Sequence, residues 1–145
     1  PIGDVEQTPL FDDTLAIVAG PYHPLVGRSG IAVDDLLAYP WAVAAAGTPT
    51  RDHFERMFSS ARLKTPESIV ETASLILIRE LLVNSDHLGC VSALQAEAEI
   101  SAGRIARIDF ELPDTARPIG ITTRRGWKPT PSQARLIDLV SGFPR

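Results

Sequence analysis

Trp41-Ala42-Val43-Ala44-Ala45-Ala46-Gly47-Thr48-Pro49-Thr50-Arg51-Asp52-His53-Phe54 is the stretch that decides the fold. Trp41–Ala45 is short and apolar, which reads as a strand, and Gly47 closes it. Thr48-Pro49 then opens a helix that runs through Ser60. Threonine is a good N-cap, and proline belongs at the first helical position because it has no N–H to leave unpaired. Phe54, Met57, Phe58 and Ala61 follow at i, i+3, i+4 and i+7, one apolar face of a helix. A strand that feeds straight into an amphipathic helix is the repeating step of an α/β sheet.

The same alternation extends to both sides. Upstream, Thr14–Ala19 is a nearly all-apolar strand ended by Gly20-Pro21, and Val33–Ala38 is a short helix with Asp34 as its expected cap. Downstream, Ser68–Glu71 is a short strand. Ala73–Val83 is apolar almost all round and is expected to be a buried helix. His87–Val91 is the next strand. Ser92-Ala93-Leu94-Gln95 is a capping box that starts a helix ended by Gly103. Arg104–Phe110 alternates as a strand with one wet face, and Ile119–Thr123 is the last strand. Thr130-Pro131-Ser132-Gln133 is a second capping box, opening a helix to Val140 with Gly142 just past its end. The expected architecture is α/β: a mostly parallel open sheet with helices on both faces. Ligands of such sheets bind at the carboxyl ends of strands, where helix N-termini point.

Composition limits the function. The 145 residues suit one domain or two small lobes. Hydrophobic residues make up 44% and charged residues 22%, as in ordinary globular chains. No apolar run approaches the ~18 residues of a membrane span. Nothing at the start resembles a signal peptide, so a cytoplasmic location and no membrane partner are expected. The 14 lysines and arginines against 18 aspartates and glutamates give a net charge of −4, the wrong sign for a module whose main partner is a polyanion. The single cysteine, Cys90, cannot form an internal disulfide and reads as a small buried hydrophobe.

Most catalytic chemistry has no residues to carry it. There is no Walker loop, no G-x-G-x-x-G and no G-x-S-x-G; Gly89-Cys90-Val91-Ser92-Ala93 fails at its last position. His23, His53 and His87 have no metal spacing, and His87 and Cys90 lie three apart on a strand, on opposite faces. No catalytic residue, metal or cofactor is therefore expected. Arg124, Arg125 and Lys128 beside Trp127 read as a solvated loop. The suggestive segments are Gly47–Arg51 and Glu71–Ala73, each joining a strand end to a helix start. Amide N–H groups, the hydroxyls of Thr48, Thr50 and Thr72, and the charge of Arg51 suit a small anion there. The plainer readings stay open: Thr48 and Thr72 as caps, and Arg51 paired with Glu55 four positions on.

A family resemblance spans nearly the whole chain. Leu10–Ala19 followed by His23-Pro24-Leu25 resembles the strand leading to the "HPL" signature of LysR-type transcriptional regulators. Ile31–Leu37 with Tyr39-Pro40-Trp41 matches that family's "I…DL…PW" stretch. Val70-Glu71-Thr72, the apolar helix after it and His87–Val91 match its middle. Gly103-Arg104-Ile105, Pro118–Arg124 and Thr130-Pro131 match its end. Ser92 departs from the pattern, which often has proline there.

The resemblance implies a type 2 periplasmic-binding-protein-like fold, with the second lobe complete and the first partial. Residues 1–19 would be the end of lobe I and the first crossover strand, 20–117 lobe II, and 118–145 the second crossover strand and a return helix. The DNA-binding helix-turn-helix is not among these residues. The implied role is sensing a small anionic metabolite in an interlobe cleft, without catalysis, in a homo-oligomer that meets DNA only through its N-terminal domain. The implied effector contacts are Gly47, Thr48, Thr50, Arg51, Glu71, Thr72, Ala73 and Val91. A solute-binding protein of a transporter shares the two-lobe architecture and is the alternative; a small α/β enzyme ranks last. The acidic balance makes one direct prediction: in an anisotropy titration this chain gives no tight, salt-sensitive binding to duplex DNA, and such binding would overturn the charge argument.

Overall fold

A computed structural model describes residues 3–142. The first two and last three residues, which the expected lobe I segments include, lie outside the described residues. The chain divides into two compact units, residues 13–116 and residues 1–12 with 117–145.

The larger unit is built on a five-stranded sheet. Its strands are β2 (Leu15–Ala19), β3 (Trp41–Val43), β4 (Ile69–Glu71), β5 (Leu88–Ser92) and β6 (Ala106–Arg107), in the order β4-β3-β5-β2-β6. β3 runs parallel to both β4 and β5, whereas β2 runs antiparallel to β5 and β6. Parallel pairing is thus confined to the three strands that each lead into a helix: α2 (Pro49–Ser60), α3 (Leu75–Asn84) and α4 (Ala93–Ser101). A short helix, α1 (Val33–Leu36), precedes β3.

Alternation along β2 explains the two layers. Leu15, Ile17 and Ala19 face one side with Trp41, Val43, Leu88 and Cys90, and pack with Leu36, Phe54 and Phe58. Ala16 and Val18 face the other with Ala42 and Val91, and pack with Ile78 and Leu82 of α3 and Ala96 of α4. Successive side chains of a strand point to opposite faces, so a strand covered on both sides must be apolar throughout, as β2 is. The helices on both faces follow from that pattern. On the α2 side three rings form the centre: Trp41 and Phe54 lie 4.8 Å apart, and Phe58 sits edge-on to Phe54 at 5.3 Å. The buried Trp41 indole N–H donates to Leu36 O at 3.2 Å.

Several local readings change. Asp34 does not cap α1; Ala32 is the N-cap residue, and the Asp35 carboxylate accepts from its N–H at 2.9 Å. α3 starts at Leu75, two residues later than expected, because Ser74 supplies the cap. Nor is it buried all round: Ile78 and Leu82 face the sheet, while Ile76, Leu77 and Val83 are exposed. One helix can turn only one stripe to a sheet. The strand expected over Arg104–Phe110 shrinks to Ala106–Arg107. Gly20, which ends β2, lies so close to the Leu82 carbonyl that a Cβ there would overlap backbone.

The smaller unit holds β1 (Val5–Asp13), paired with β7 (Arg117–Arg124), and α5 (Pro131–Ser141). β1 is a strand that pattern reading does not find, since Glu6-Gln7-Thr8-Pro9 has no alternation. α5 carries the complete capping box: Thr130 Oγ1 accepts from Gln133 N, and Gln133 Oε1 from Thr130 N.

Phe54 is fully buried in the aromatic centre. Phe54→Ala should cost about 3–5 kcal/mol in urea denaturation, the usual range for a core aromatic. A loss under about 1 kcal/mol would contradict this packing.

Candidate functional site

Parallel pairing brings the two suggestive junctions together. Val43, the last residue of β3, stands opposite Glu71, the last of β4. Val43 O accepts from the Thr72 amide at 2.9 Å, so the chain leaving β4 lies beside the chain leaving β3. Gly47 makes the turn into α2 with φ +79°, a left-handed conformation that glycine adopts at no steric cost.

Each residue at this edge has an identifiable task. Thr48 is the N-cap of α2: its hydroxyl donates to Ala45 O at 2.8 Å and accepts from Arg51 N at 3.3 Å. The donor of that hydroxyl is therefore already used. Arg51 is the clamp of the edge. Its Nε donates to Glu55 at 2.8 Å, and its Nη1 to Glu71 at 2.9 Å and to Ala44 O at 3.3 Å. Only 11% of its side chain is exposed, against 48% for each carboxylate partner. The Glu55 pairing is the plainer reading of Arg51, and the structure adds Glu71. A cation held by two carboxylates offers little unbalanced charge to an anion. Thr50 is half-buried in the first turn of α2, and Gly47 and Ala73 are exposed.

Thr72 differs from Thr48. It does not cap a helix; its Oγ1 accepts from Ser74 N at 3.0 Å, which leaves the hydroxyl able to donate. Ser74 is the cap of α3, its Oγ accepting from Leu77 N at 3.3 Å. Sequence reading passed over Ser74, although Ser-Leu-Ile-Leu carries a cap signal of its own. The first bond inside α3 is Ile78 N to Ser74 O. The amides of Leu75 and Ile76 thus precede any intrahelical acceptor, and α3 has no acidic residue in its first turn. Its N-terminal positive dipole end is not neutralised by its own helix.

The third junction is closed. Ser92 caps α4 through Gln95 N at 3.1 Å, and the buried Asp13 carboxylate accepts from Leu94 N at 3.4 Å. An internal anion thus already sits at the α4 N-terminus. Val91 does not join the group: its side chain is 5% exposed and packs between the sheet and α3. The structure therefore gathers Gly47, Thr48, Thr50, Arg51, Glu71, Thr72 and Ala73 at one sheet edge and leaves out Val91. Chemically, this edge can donate hydrogen bonds to a small polar group at Thr72 and the start of α3. Among the described residues it assembles no group of metal ligands.

Comparison with known proteins agrees with this architecture. The model of the LysR substrate binding domain matches residues 1–143. The HTH-type transcriptional regulator GalR of Pseudomonas putida is 35% identical over 137 residues, covering 94% of this chain and 34% of that protein. CysL of Bacillus subtilis, another HTH-type regulator, is 30% identical over 89 residues, 61% of this chain and 29% of that protein. The chain thus spans about a third of these relatives. Among solved structures, the regulatory domain of Synechocystis PCC6803 CcmR in complex with 2-PG superposes with a TM-score of 0.76 at 19% identity, over 97% of this chain and 68% of that one. The effector binding domain of QuiR in complex with shikimate gives 0.69 at 16% identity, over 94% and 64%. These likenesses carry the fold.

The clamp is testable by stability. Arg51→Met removes three hydrogen bonds of a largely buried guanidinium and should lower unfolding free energy by about 1–2 kcal/mol. Glu71→Gln, at a half-exposed group, should cost under about 1 kcal/mol. Equal stability of Arg51→Met and wild type in urea would show that the clamp is not formed.

Proposed function

The chain belongs to the LysR substrate-binding domain family, and we propose that it is the effector-sensing part of a bacterial LysR-type transcriptional regulator. In this reading it binds a small anionic metabolite and catalyses nothing. Residues 1–19 and 118–145 contribute to lobe I and carry the two crossover strands, and residues 20–117 form lobe II. The whole regulator works in the cytoplasm as a homo-oligomer and contacts DNA through a separate helix-turn-helix. Effector recognition changes transcription by population shift: a ligand that binds one arrangement of the regulator better than another raises its share.

One observation supports the site most directly. At the β3–β4 edge, Thr72 and the first turn of α3 retain donors, whereas Thr48 and the α4 N-terminus are already satisfied from within. A carboxylate oxygen placed there would accept from the Thr72 hydroxyl and the α3 amides, in the favourable field of the helix end. Arg51 and Glu71 act beside it as a fixed rim. The CcmR and QuiR domains, which share the fold, are seen with 2-PG and shikimate, both small molecules.

The test is a thermal-shift survey of small carboxylates, followed by calorimetry with the one that stabilises the protein most. Thr72→Val should weaken its binding by about 1.5–3 kcal/mol, the worth of a hydrogen bond to a charged group. Thr48→Val should lower folding stability by about 1 kcal/mol, as a lost cap does, while leaving affinity nearly unchanged. Unchanged affinity in a folded Thr72→Val protein would place the effector elsewhere.

A further inference from the structure

The turn that follows β2 carries a histidine in an unusual setting. His23 is 6% exposed, and its Nδ1 accepts from the Leu25 amide at 3.1 Å. The same turn is closed by His23 N to Gly20 O at 3.1 Å and Val26 N to His23 O at 2.9 Å. An imidazole nitrogen can accept only when it carries no proton, so this bond fixes the neutral ring with its proton on Nε2. Nε2 is itself buried and has no hydrogen-bond partner. Tyr39, from the segment before β3, lies against the ring at 4.4 Å between centroids. Leu25, the residue held by the bond, is fully buried in the core with Leu36, Trp41 and Phe58.

We propose that His23 is a proton-operated latch: as a neutral acceptor it pins Leu25 into the core, and on protonation it releases the 20–26 turn. A proton on Nδ1 would face the Leu25 N–H donor to donor, and a charged ring would be buried with Asp86 offsetting the cost only in part. Both are relieved only if the imidazole swings out and the turn opens. The hollow beside the turn, about 260 Å³ between Gly20–His23 and Leu82–Asp86, gives it room to move.

Burial sets the direction. Burial pushes the imidazole below its ordinary value, and the nearby Asp86, on the turn between α3 and β5, opposes this more weakly. Tyr39 is the titratable group on the other side. His87, next to Asp86, is engaged with Ser85 Oγ at 2.7 Å. Because the folded-state value lies below the ordinary one of about 6.5, the latch is fully closed above that pH. Its contribution is lost as pH falls from there through the lowered folded value.

Amide hydrogen exchange on this chain between pH 7.5 and 5, corrected for intrinsic rates, tests the proposal. Protection of the Leu25 and Val26 amides should fall as the medium is acidified, by at most about tenfold per pH unit, the limit for one proton. His23→Asn keeps a side-chain acceptor that does not titrate in this range, and should abolish the acid loss; His87→Asn should not. An acid loss that persists in His23→Asn, or undiminished Leu25 protection in wild type at pH 5, would overturn the latch. If His23→Asn does not fold, imidazole NMR titration of the wild type decides. The Leu25 amide resonance must move with the same midpoint as the His23 ring, and an independent midpoint would refute the coupling.

Discussion

β3 is hydrogen-bonded in parallel on both edges, to β4 and to β5, and a parallel ladder sets strand ends side by side. Its final rung, Thr72 N to Val43 O, fixes where the chain leaves β4 relative to where it leaves β3. Three consequences follow. The starts of α2 and α3 share one edge of the sheet. Arg51, in the first turn of α2, comes within reach of Glu71, 20 residues further along the chain. Thr72 is held by its backbone, which leaves its hydroxyl free of any capping duty. Without that register the candidate site would be two unrelated loops.

The three helix starts on this edge differ in one respect: how far each is satisfied from within. Buried or half-buried donors need partners, and a helix N-terminus presents several that its own backbone cannot supply. α2 is capped by Thr48 and stitched by Arg51 to two carboxylates. α4 is capped by Ser92 and meets Asp13, an anion that the chain itself provides. α3 has a serine cap and no acid. A binding surface needs donors left over after folding, and among these three α3 with Thr72 retains most.

Much of this was legible in the residues, and the reasons are local. Thr48-Pro49 and the Phe54, Met57, Phe58 spacing specify α2 because caps and amphipathic faces are properties of adjacent residues. Thr130–Gln133 specifies α5 for the same reason. The all-apolar β2 announces burial on both faces. What escaped depends on partners distant in sequence. β1 is a strand because β7 lies beside it, not because Val5–Asp13 alternates. The pairing of Arg51 with Glu71 requires the β3–β4 register, whereas its pairing with Glu55 is visible as an i, i+4 spacing. Ile76, Leu77 and Val83 made α3 look buried all round, but the helix turns only one stripe, Ile78 and Leu82, to the sheet. Val91 sits at the right strand end, yet strand alternation turns its side chain into the core.

The start of α3 with Thr72 is the proposed recognition surface. Amide chemical-shift mapping tests this most directly, using isotope-labelled protein titrated with the small carboxylate that stabilises it most. The largest saturable shifts should fall on Thr72, Leu75 and Ile76, with smaller ones at Thr50 and Arg51, while Leu94 at the closed α4 start stays in place. Shifts centred elsewhere on the molecule, with residues 72–76 unmoved at saturation, would contradict the account.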